Sequence, residues 1–105
     1  AEPARQHRPR TPGEFAEAFP DVGRASGDLG AASAEAGPMD DDTERLVKLA
    51  LAIGAGSEGA VHSHTRRALD QGVDRERLRQ VPALAITTLG FPRAMAGRTW
   101  IEDEL

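Results

Sequence analysis

The stretch Gly54-Ala55-Gly56-Ser57-Glu58-Gly59-Ala60-Val61-His62-Ser63-His64-Thr65 ends one helix and opens another. Glycine breaks the backbone, Ser57 suits an N-cap, and His64 lies two turns inside the new helix. Upstream, Leu46, Leu49, Ala50 and Ile53 follow the i, i+3, i+4, i+7 rule, and Val47 and Leu51 widen the stripe. Asp40 is placed to cap that helix, with Asp41 and Asp42 favourable at its positive end. Being apolar over much of its circumference, it reads as the central helix. Downstream, the helix from Ser57 runs to about Gln71, and Gly72 stands where a left-handed cap is expected. Asp74 starts another helix, with Leu78 and Val81 inward. Pro82 lacks an N–H and clashes with the preceding turn, which predicts a kink or split there. Gly90-Phe91-Pro92 is a stop, turn and restart, and Ala94, Met95, Trp100 and Ile101 give the last helix its apolar content. No strand-like alternation and no internal repeat appear, so the class is all-α.

Toward the N-terminus, Phe15, Phe19 and Val22 predict an amphipathic element around Pro20 that runs weakly to about Ala36. Gly23, Gly27 and Gly30 each weaken it by roughly 1 kcal/mol relative to alanine, and Gly37-Pro38 ends it. Residues 1–13 carry Arg5, Arg8 and Arg10 among Pro3, Pro9, Pro12 and Gly13. That composition reads as a disordered basic arm and, lacking aromatics, as a solvated tail rather than a nucleic-acid contact. Residues 14–105 are expected to form a single helical domain.

A chain of 105 residues with three Phe, two Met and one Trp buries little apolar surface alone. A homo-oligomer that completes the core is therefore expected. The net charge of −4 argues against a nucleic-acid partner. The absence of cysteine excludes a disulfide, a thiolate metal ligand and a peroxidatic thiol. The apolar runs from Leu49 and from Val81 fall short of the roughly 18 residues that span a bilayer. With no hydrophobic signal core after the N-terminus, a cytoplasmic location is expected.

On a helix advancing about 100° per residue, Val61, Thr65, Ala68 and Leu69 form the inner stripe. His64 lies at its edge, half-buried, where a general acid or base works. The plainer alternative is a core-edge histidine held by backbone or by a subunit neighbour. His62 and His64 diverge by about 200° on a helix, so the two do not chelate one ion, and no metal is expected. Ser57 stands about 10 Å along the axis from His64, beyond nucleophile–base reach, and reads first as a cap. Glu58 balances the helix dipole or offers a carboxylate at a pocket mouth.

Four pieces in order, Asp41 to Ala52, Ser57 to His64, Arg67-Ala68-Leu69 before Gly72, and Leu89-Gly90-Phe91-Pro92, resemble the carboxymuconolactone decarboxylase and alkylhydroperoxidase D family. The resemblance covers roughly residues 38–101. It implies a small helical subunit assembling into homotrimers or homohexamers. Redox members of that family use two cysteines, a histidine and an upstream glutamate as a proton relay. At those positions this chain has Ser57, Ala60, His64 and Arg45, so family-type peroxidase activity is expected to be absent. Decarboxylase members need no cysteine, metal or other cofactor and act on an anionic lactone, although the Ser-Glu-Gly-Ala segment departs from their motif. The resemblance thus implies cofactor-free, lyase-like acid–base chemistry on a small carboxylated molecule. His64, Glu58 and Arg45 are its candidate catalytic residues, and Ser57 and Arg93 its candidate substrate contacts. Arg45 facing the site would recognise a carboxylate and hold His64 neutral. The alternative is a non-catalytic oligomeric binding or accessory protein that kept the frame and lost the relay.

Overall fold

A computed structural model describes residues 12–105, which contain six helices and no strand. The all-α class therefore holds among the described residues, and residues 1–11 of the basic arm lie outside them. No helix there is long and apolar enough to cross a membrane. Two compact units divide after Pro38.

The first unit holds α1 (Pro12–Ala18) and α2 (Pro20–Ala34), where the sequence predicts one weak element. Pro12 and Gly13, read as the end of the arm, open α1 instead. Proline is well placed at the start of a helix, where its missing N–H costs nothing, and Glu14 favours the first turn. Pro20 does the same for α2. Gly23 permits the two helices to approach, since a Cβ there would lie 2.8 Å from the Ala16 Cβ. The rings of Phe15 and Phe19 stack at a tilt, 5.1 Å apart. No residue of α2 is buried.

The second unit is built from α3 (Asp41–Ala55), α4 (Glu58–Asp70), α5 (Arg75–Leu89) and α6 (Phe91–Glu102). Helix α3 is central and packs on each of the other three. Its start is fixed by Asp40, whose carboxylate accepts from the Thr43 N–H at 2.7 Å. That bond also holds the Asp40 carboxyl below its ordinary pKa. Gly56, at φ 68°, ends α3 in a conformation that glycine adopts without strain. Ser57 and Asp74 cap α4 and α5, accepting from the N–H groups of Ala60 and Glu76. Leu49, Ile53, Val61, Ala68, Leu78 and Ile101 form the core, and the buried Thr65 hydroxyl donates to the Val61 carbonyl.

Helix α5 runs unbroken through Pro82, so the predicted split does not occur. Proline withholds one backbone bond, at a cost of about 3 kcal/mol in a helix interior. Burial of Leu78, Val81, Pro82 and Ala85 along the same face offsets that cost.

Between α3 and α5 lies an apolar groove of about 850 Å³, lined chiefly by Leu46, Val47, Leu51, Val81, Leu84 and Leu89. Leu51 and Leu84 are 67% and 64% exposed, far more than large apolar residues of a sealed core.

Candidate active site

His64 on α4 and Arg45 on α3 meet across the packed pair of helices. An Arg45 NH1 group lies 2.7 Å from His64 Nδ1. A guanidinium has only donors, so Nδ1 is the acceptor and the neutral ring carries its hydrogen on Nε2. His64 is half-buried, and its pKa is lowered from 6.5 to about 4. Burial is the largest cause, followed by the positive charges of Arg45, Arg67 and Lys48. At neutral pH the ring is therefore uncharged and offers a donor at Nε2. This differs from a ready-made base, whose acceptor nitrogen would be free.

Arg45 is itself held from behind. Its Nε donates to Gln71 Oε1 at 3.2 Å, and Gln71 Nε2 donates to Asp42 Oδ1 at 3.0 Å. Asp42 also accepts from Arg77 on α5 at 3.4 Å. The end of α4, the start of α3 and the start of α5 thus share one polar chain that aims the guanidinium at His64. Nε and NH1 are thus engaged, and among the described residues NH2 makes no hydrogen bond to a side chain. The same low-dielectric, like-charged surroundings lower the Arg45 pKa, burial again leading.

The other candidates have different contacts. Ser57 accepts from the Ala60 N–H and is exposed, as a cap residue is. Glu58 is exposed and its carboxylate lies 4.0 Å from His62 Nε2. Arg93 turns to the end of α3, where it donates to the Ile53 and Gly54 carbonyls at 3.4 and 3.2 Å. The Ile53 carbonyl also accepts from the Gly56 N–H, so Arg93 adds side-chain donors to the C-terminal end of α3. Of the five candidates, the structure joins only Arg45 and His64.

Gln71 and Asp42 were not legible as site residues. Gln71 reads as a helix end and Asp42 as dipole compensation, and nothing local links positions 26 and 29 residues apart.

An all-helical frame with a neutral histidine beside a buttressed arginine, and no thiol, defines a cysteine-free helical protein whose histidine is held by an arginine. The chain belongs to the carboxymuconolactone decarboxylase family, whose profile matches residues 20–103. No curated protein and no solved structure matches the chain.

Proposed function

We propose that the Arg45–His64 pair is the working centre of a cofactor-free, lyase-like protein acting on a small carboxylated molecule. The observation that carries this reading is the 2.7 Å bond from Arg45 to His64 Nδ1, with Arg45 braced by Gln71. A substrate carboxylate binds the outer N–H groups of Arg45, and the His64 Nε2–H donates to a second oxygen. With Nδ1 held by Arg45, the Nε2–H is the ring group that meets the substrate, and as an acid it stabilises the negative charge that develops on the bound oxygen. Glu58 and Ser57, whose bonds are spent locally, and Arg93, spent on α3, have no step in this scheme.

The test is binding of a panel of small carboxylates and lactones to wild type and Arg45→Gln, followed by calorimetry. Loss of the charge-assisted pair weakens carboxylate binding by about tenfold or more, equivalent to about 1.5–3 kcal/mol. Unchanged affinity would sink the reading.

A second reading, a non-catalytic binding or accessory protein, is favoured by one observation. His64 Nδ1 is already satisfied by Arg45, as in a structural histidine. Binding of carboxylates without any conversion of them would favour it.

Assembly through the exposed apolar groove, as a homotrimer or homohexamer in the cytoplasm, completes the proposal. A charge on its wall disfavours any partner surface packed there, so Leu51→Asp is expected to lower the mass measured by sedimentation to that of the 11.2 kDa chain. An oligomer of unchanged mass would show that the groove is not the interface.

A further inference from the structure

The second histidine has a setting of its own. His62 faces away from Arg45 on α4, and its Nε2 lies 3.0 Å from Asp103 Oδ2, at the end of α6. Glu58, one turn earlier on α4, places Oε2 4.0 Å from the same nitrogen. One donor atom from each of the three lies within 4.8 Å of the others. A first-row ion binds such donors at about 2.0–2.2 Å, so adjacent ligands in its shell stand about 3.0–3.5 Å apart. The cluster is therefore only small side-chain rotations from a coordinating arrangement.

Charge points the same way. The carboxylates flanking Asp103 in sequence are matched by arginine: Glu102 by Arg79 and Glu104 by Arg66. Among the described residues, Glu58 and Asp103 make their ion pairs with His62 alone. Two carboxylates thus converge on one imidazole with no lysine or arginine to neutralise them. Local bonds anchor the backbone beneath two of the ligands: Ser57 caps α4 one residue before Glu58, and the Asp103 N–H bonds to the Thr99 carbonyl. Mixed oxygen and nitrogen donors select a transition ion over magnesium or calcium, which take oxygen alone.

We propose that Glu58, His62 and Asp103 form a surface site for a divalent first-row transition ion, three protein ligands with the remaining positions open to water. It is separate from the Arg45–His64 pair, since His62 and His64 lie on different sides of α4. It joins the start of α4 to the end of α6.

Calorimetric titration of the full chain with Zn²⁺ tests this, with Mg²⁺ as the control ion. The expected result is one saturable Zn²⁺ site per chain, weakened at least about tenfold in both His62→Gln and Asp103→Asn. Unaltered helical circular dichroism in those variants shows that folding is not the cause. Three results would overturn the proposal. One is no saturable binding. Another is Zn²⁺ binding that survives both substitutions, which would place the ion elsewhere, as on the segment bearing His7. The last is equal binding of Mg²⁺, which would mark an acidic surface and not a site.

Discussion

Between pH 6.5 and pH 4, the wild-type fold is expected to lose about 1–3 kcal/mol more stability than His64→Gln loses. The sign follows from the protons bound. In the unfolded chain His64 titrates near 6.5, and in the folded chain near 4, so the unfolded state binds more protons between those values. Stability from the neutral ring is complete above 6.5 and drains away as pH falls toward 4. The full shift corresponds to about 3 kcal/mol at about 1.36 kcal/mol per unit, and partial access to water lowers it. Glutamine keeps an acceptor for Arg45 and does not titrate, so it removes this slope while sparing the hydrogen bond. Urea unfolding of both proteins at several pH values reads the difference. Parallel stability curves would mean that His64 is not held neutral by its surroundings.

Gly97→Ala is expected to destabilise the protein by about 1–3 kcal/mol. The missing side chain at 97 is what lets α6 lie against α3. A Cβ there would stand 2.7 Å from Ile53 Cγ2 and 3.0 Å from both Cγ1 and Cδ1. Ile53 is fully buried and cannot swing aside without disturbing the core. The melting temperature should fall by roughly 4–8 °C for each kcal/mol in a chain of this size. Ile53→Ala alone opens a cavity and costs about 2–5 kcal/mol. In the double variant the new methyl fills part of that cavity, so the two costs should sum to more than the measured loss. Strict additivity would show that the crossing of α3 and α6 is looser than this packing.

The frame was legible because its signals are local. Asp40, Ser57 and Asp74 announce helix starts, Gly72 and Gly90 announce ends, and the Leu46–Ile53 spacing marks the buried stripe. Each depends on residues within one or two turns. Pro82 misled because the rule against interior proline is a local cost, whereas its remedy is burial supplied by distant helices. The break at Phe19-Pro20 was missed because the same proline both ends one helix and begins another. Gly97 carried no sequence signal, since its importance comes from Ile53, far away in the chain.

The site divided in the same way. Arg45 and His64 emerged from the register of the family motif, and the structure places them in contact. Ser57 came from the same register, Glu58 from its place in the first turn and Arg93 from its charge, and their bonds go to a backbone N–H, to His62 and to a helix end. The brace through Gln71 and Asp42 could come only from the folded chain.

Arg45 holds His64 as a neutral ring with its proton on Nε2, and in the proposed function that ring answers a carboxylate. Nitrogen-15 spectra of the histidine rings at pH 7, with and without a small carboxylate, read both the tautomer and its response. The expected spectrum shows the neutral Nε2–H form, shifting on addition of the carboxylate in wild type and not in Arg45→Gln. A protonated ring, a proton on Nδ1, or a ring indifferent to carboxylates would contradict it.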